Sequence, residues 1–82
     1  MPHYFQPNSP GELSFPEEIE IMEIAKKAGL QLGGNGHKFF GDYVTKGLYY
    51  YKTGEFAGMA FYGLYGSEAA NNAPVASPKY RL

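Results

Sequence analysis

The chain has 82 residues, no cysteine, and a formal net charge of −1 from seven Lys and Arg against eight Asp and Glu. That length admits a single domain, the lack of cysteine excludes disulfides and thiolate metal sites, and near-neutrality leaves no electrostatic footprint for a polyanion. With 44% hydrophobic and 17% aromatic residues, the chain is too apolar for a disordered segment. A domain this small commonly needs a staple, and with disulfides excluded a partner subunit is the expected substitute. The start, MPHYFQPNSPG, lacks the basic stretch and apolar run of a secretory signal. No run approaches the ~18 apolar residues of a spanning helix. The expectation is a cytoplasmic protein with no transmembrane segment.

In chain order, residues 1–13 read as an irregular arm, because Pro2, Pro7, Pro10 and Gly11 punctuate it. Tyr4 and Phe5 within it are expected to pack on the domain or on a neighbour. The next segment, SFPEEIEIMEIAKKAG, predicts a helix over residues 15–28. Ser14 and Glu17 form a capping-box pattern, Pro16 suits a first turn, and Gly29 suits a left-handed stop. Glu17, Glu18, Glu20 and Glu23 precede Lys26 and Lys27, which complements the helix dipole. At about 100° per residue, Ile21, Ile24, Ala25 and Ala28 share one stripe, while Phe15, Ile19 and Met22 share a second beside it.

Residues 30–32 form a short apolar stretch before a glycine-rich turn at residues 33–36. Residues 37–44 are compatible with a strand bent at Gly41 and Asp42. The clearest signal is the run YYYKTGEFAGMAFYG, with six rings in fifteen residues. It predicts a β-hairpin with strands over residues 48–51 and 56–62, joined at Lys52-Thr53-Gly54-Glu55. Alternation places Phe56, Gly58, Ala60 and Tyr62 on one face and Ala57, Met59 and Phe61 on the other, so both faces carry rings. One face is expected under the helix and the other under a second molecule, the arm or the tail. Residues 67–82 turn small, polar and proline-containing. They read as an extended or flexible tail with one helical turn at residues 68–71. The resulting fold class is α+β: one N-terminal helix packed on a small antiparallel sheet of two or three strands, within a domain spanning residues 14–66.

The chemistry-bearing residues are sparse. GGNGHK invites a phosphate-loop reading, but no hydroxyl follows Lys38 and Phe39 stands where a third glycine would be needed. His3 and His37 lack the spaced partners of a zinc site. Asp42 is the only aspartate, and no serine lies in G-x-S-x-G. The expectation is a protein that is not an enzyme and holds no cofactor or metal. Tyrosine combines large contact area with a hydroxyl usable at a wet boundary, which points to binding of another protein or a second copy of this chain. The residues expected to carry it are Tyr49, Tyr51, Phe56, Met59, Phe61 and Tyr62, with Lys52 and Glu55 at the rim. The expected role is a small accessory, adaptor or inhibitor module. The alternative is a single-stranded nucleic-acid binder that stacks bases on these rings and uses the nearby lysines for phosphates.

Overall fold

A computed structural model describes residues 13–82; Tyr4, Phe5 and most of the N-terminal arm lie outside the described residues. Helix α1 spans Phe15–Lys27 and is closed at both ends by its own sequence. The Ser14 hydroxyl accepts from the Glu17 N–H (3.3 Å), and the Ser14 N–H donates to Glu17 Oε1 (2.8 Å). Those bonds, the Ser14 backbone first, hold the Glu17 carboxyl below the usual carboxylate range. At the other end Gly29 (φ 79°) donates to the Lys26 carbonyl (2.9 Å) and Leu30 to the Ala25 carbonyl (3.1 Å). That pair of bonds is a Schellman closure, which needs a left-handed residue after the cap.

Among the described residues the remaining elements are β1 (Gln31–Leu32), β2 (Phe40–Gly41), β3 (Gly47–Tyr51), β4 (Met59–Gly63), α2 (Glu68–Asn71) and β5 (Lys79–Arg81). The class is therefore α+β. The sheet differs from expectation, having five strands and mixed direction. β1 and β2 lie parallel to β4 along one of its edges, β3 pairs antiparallel on the other, and β5 pairs antiparallel with β3. The additional strands contain two or three residues each, too few for alternation to show in sequence. The helical turn expected at residues 68–71 is present as α2.

The hairpin register also differs. A four-residue turn would pair Tyr51 with Phe56, whereas Tyr50 pairs with Ala60 and Tyr49 with Phe61. Residues 52–58 form the connection, with Gly54 (φ 89°) and Gly58 (φ 79°) in left-handed conformations that side chains rarely adopt. An odd offset of this kind exchanges the faces of a strand relative to its partner. Tyr49 and Tyr51 therefore share a face with Phe61. Phe56, expected beside Ala60 and Tyr62, lies in the connection and joins that opposite face, packing 5.6 Å from Phe61 between ring centroids.

The helix covers the other face. Ala25, Phe39, Ala60 and Tyr62 are its buried centre, ringed by Leu13, Ile21, Met22, Leu30, Leu32, Phe40, Leu48, Tyr50 and Leu64. α1 packs through the seam between its two apolar stripes, using Ile21, Met22 and Ala25. Phe15, Ile19 and Ile24 remain exposed on its flanks.

Residues 67–82 close against the same sheet. β5 supplies main-chain pairing to β3, and the Arg81 guanidinium then ties three segments together. Its Nε donates to the Ala73 carbonyl (2.7 Å), Nη1 to those of Lys46 (2.7 Å) and Leu48 (3.2 Å), and Nη2 to that of Ala70 (3.0 Å). The planar fork of arginine can serve several carbonyls at once, which a lysine ammonium cannot. Arg81→Met is expected to lower stability by about 2–4 kcal/mol, because part-buried carbonyls lose their donor, and Arg81→Lys to recover less than half of that loss. Urea unfolding of the three proteins checks it. Ser14→Ala, which removes the cap, is expected to cost about 1 kcal/mol, or about 4–8 °C in Tm.

Candidate functional site

The helix-free face of the sheet carries a second aromatic cluster, and a depression of about 150 Å³ opens within it, lined by His37, Tyr43, Tyr49, Tyr51, Phe56 and Phe61. β3 and β4 place Tyr49 and Phe61 opposite each other, and both are buried, at 4% and 3% exposure. Their ring planes are inclined by only 31°, with centroids 6.1 Å apart. Tyr43, Tyr51 and Phe56 stand at 81°, 86° and 86° to Phe61, at 5.7, 6.0 and 5.6 Å. These edge-to-face pairs satisfy the ring quadrupoles, with the positive edge of one ring meeting the negative face of another. His37 leans on Phe56 in the same manner at 5.5 Å.

Tyr43 is held as a wall by two features. Its hydroxyl donates to the Lys38 carbonyl, and its ring occupies the space above Gly41, where a Cβ would come within 2.7 Å of Cζ and 2.8 Å of Cε2. Only glycine lets the ring lie there. On the opposite side, Tyr51 and Phe56 pack together at 5.1 Å.

The structure divides the residues expected at a binding face. Tyr49 and Phe61 are floor, Tyr51 and Phe56 are partly exposed walls, and Met59 is partly buried on β4. Lys52 and Glu55 are exposed in the connection, where Lys52 Nζ lies 4.3 Å from the Tyr80 centroid, away from the depression. Tyr62 points to the helix side, where it belongs to the core beneath α1, and so does not join the others. His37 and Tyr43 are brought into the cluster from the segment before the hairpin. Their distance in sequence from the YYY run conceals this, and only Gly41 two residues before Tyr43 hints at a close ring approach.

The cluster's lining holds no carboxylate, lysine or arginine. Burial, then the neighbouring Tyr51 and Tyr43 hydroxyls, push the Tyr49 phenol well above its ordinary value, with Arg81 opposing. Burial first, then the Glu55 charge, raises that of Tyr51, and burial raises that of Tyr43. Outside the depression, Lys79 Nζ sits 6.0 Å from the Tyr49 centroid and donates to Thr45 Oγ1 (2.6 Å). Asp42 pairs with Lys46 (2.8 Å) and not with His37. Among the described residues no three His, Asp or Glu side chains converge as a metal-ligand set, and no helix is long and apolar enough to cross a membrane.

Comparison with protein-family models, with curated proteins and with solved structures gives no match to this chain, so its chemistry is read from its own geometry.

Two outcomes follow from this geometry. A tyrosine whose folded pKa is raised contributes stability that is present below pH ~10 and is lost as pH rises beyond it, because the unfolded chain releases the proton first. The alkaline limb is therefore expected to fall by up to about 1.4 kcal/mol per pH unit through the buried Tyr49, and Tyr49→Phe to flatten it; unfolding free energies measured across that limb check the slope. Gly41→Ala is expected to displace the Tyr43 ring and cost about 1–3 kcal/mol, visible as loss of the Tyr43–Phe61 nuclear Overhauser contact alongside a lower Tm.

Proposed function

We propose that this chain is a small protein-binding module, an accessory subunit, adaptor or inhibitor without catalytic activity of its own, and that it binds through the helix-free face. The observation that carries this reading is the aromatic depression on the one sheet face that α1 leaves uncovered. Tyr51 and Phe56 line the depression, Met59 lies on the same strand face beyond it, and Glu55, with Lys52 over Tyr80, supplies charge in the connection. Partly exposed rings over a rigid floor lose little conformational entropy on binding, which is the usual property of interface anchors.

The nucleic-acid reading has one observation in its favour. The sheet and its connections carry Lys38, Lys46, Lys52, Lys79 and Arg81 against Asp42, Glu55 and Glu68, whereas α1 carries Glu17, Glu18, Glu20 and Glu23 against Lys26 and Lys27. Against it, the rings interlock edge to face, with Tyr49 and Phe61 buried, and no row of free ring faces is left for successive bases.

Light scattering after size-exclusion chromatography, with affinity capture on the full chain, tests the proposal. The expected result is a self-associated species or a retained protein partner that Tyr51→Ser and Phe56→Ser release without unfolding the domain. A monomer that retains nothing overturns it. Salt-sensitive quenching of tyrosine fluorescence by mixed single-stranded DNA would favour the alternative.

A further inference from the structure

We infer that the aromatic depression is a site for a methylated ammonium group, and that its occupant is a methylated lysine side chain of a partner protein. This rests on the protein-binding reading and names the chemistry of the contact.

Size sets the first limit. A cavity of about 150 Å³ holds one benzene-sized group. Shape then separates a round group from a flat one. A planar ring needs two roughly parallel faces to lie between. Here the walls Tyr51 and Phe56 sit side by side at 44° to each other, and Tyr43, Tyr51 and Phe56 all stand steeply inclined to the floor ring Phe61. Rings arrayed in crossing planes contact a near-spherical group from several directions, which is how aromatic cages hold quaternary ammonium groups.

Charge points the same way. The lining contains no lysine, arginine or carboxylate, only aromatic rings, of which Tyr43, Tyr51 and Phe56 are partly exposed, and the imidazole of His37. At the rim, Glu55 is close enough for its charge to act on the Tyr51 hydroxyl, and its Oε2 is held by Asn35 Nδ2 at 3.0 Å. A carboxylate beside a neutral aromatic pocket favours a cation. A bare ammonium is strongly hydrated and requires several acceptors in exchange for its water, and a lining of rings with one imidazole supplies few of them. Methylation removes that requirement. The sheet makes a related contact internally, where Lys52 Nζ lies 4.3 Å from the Tyr80 centroid. Lys79 Nζ, over the floor ring Tyr49 at 6.0 Å but outside the lining, opposes an incoming cation, as does Arg81 beyond it.

A choline headgroup shares this chemistry. The protein side chain is favoured because Phe15, Ile19 and Ile24, exposed phenylalanine and isoleucine side chains that would enter a bilayer, are on α1 across the sheet, and beside the depression stand the smaller Val44, next to Tyr43, and the charged Glu55.

The test titrates the full chain with three small probes, following aromatic resonances by NMR. They are a blocked trimethyllysine amide, the same amide of unmethylated lysine, and the neutral isostere in which a tert-butyl carbon replaces the trimethylammonium nitrogen. The trimethylated probe is expected to shift Tyr43, Tyr51, Phe56 and His37 and to bind about tenfold more tightly than either control. Tyr51→Leu and Phe56→Leu, which keep apolar bulk, are expected to remove that preference, and Lys79→Gln to strengthen binding about twofold. Equal affinity for the neutral isostere, or no shift at all, overturns the inference. Phosphatidylcholine vesicles that bind more tightly than the trimethyllysine probe overturn its assignment to a protein side chain. The two readings fail separately: a chain that captures a protein partner yet ignores the trimethylated probe loses this inference alone, and one that binds the probe but no protein loses the proposed function.

Discussion

Strand β4 is the constraint on which the other elements depend. Ala60, Phe61, Tyr62 and Gly63 are all buried, because β4 is paired along both edges and covered on both faces. On one edge Gly33 N–H donates to the Ala60 carbonyl (2.8 Å) and Tyr62 N–H to that of Phe39 (2.8 Å), so two short parallel strands share a single long partner. Neither two-residue strand would persist alone. Each is held because the central strand offers unpaired backbone groups that burial obliges it to satisfy.

A strand buried on both faces divides the hydrophobic interior into two thin layers. Under α1 the layer is mixed, with Ala25 against Ala60 and Tyr62 in one cluster. On the opposite side it consists almost wholly of rings, packed edge to face. Much of the aromatic content is therefore structural: Tyr49, Phe61 and Tyr62 do the work of core residues. Interlocked rings do not fill space as aliphatic chains do, and the depression among them is the void their perpendicular packing leaves. Function, on this reading, uses a by-product of how the second layer is built.

The question of what staples so small a domain has an internal answer as well as the external one that composition suggests. Residues that read as a tail return to pair with β3, and Arg81 bonds the carbonyls of Lys46, Leu48, Ala70 and Ala73. One side chain thereby joins the start of the hairpin, α2 and the C-terminal strand. A tertiary partner of the central sheet is supplied by the chain itself, and an additional subunit is not required to cover the β3 edge.

What the sequence determined by itself was local. The bounds and both caps of α1, the existence of the hairpin and the helical turn at residues 68–71 were legible, since each rests on hydrogen bonds and conformational preferences within a few residues. Tyr51, Phe56, Lys52 and Glu55 could be placed at the surface because alternation and a turn signal lie in one continuous run. Tertiary structure decided what depends on distant neighbours. Phe56 changed face because its place in a seven-residue connection, and not in the strand, is set by how β4 meets β1 and β2. Alternation is blind to that offset. The helix packed through the seam of its two stripes because a small sheet accepts a narrower contact than the full apolar arc. His37 and Tyr43 entered the site only when β2 aligned with β4, and no local pattern connects residues that become neighbours through a shared strand.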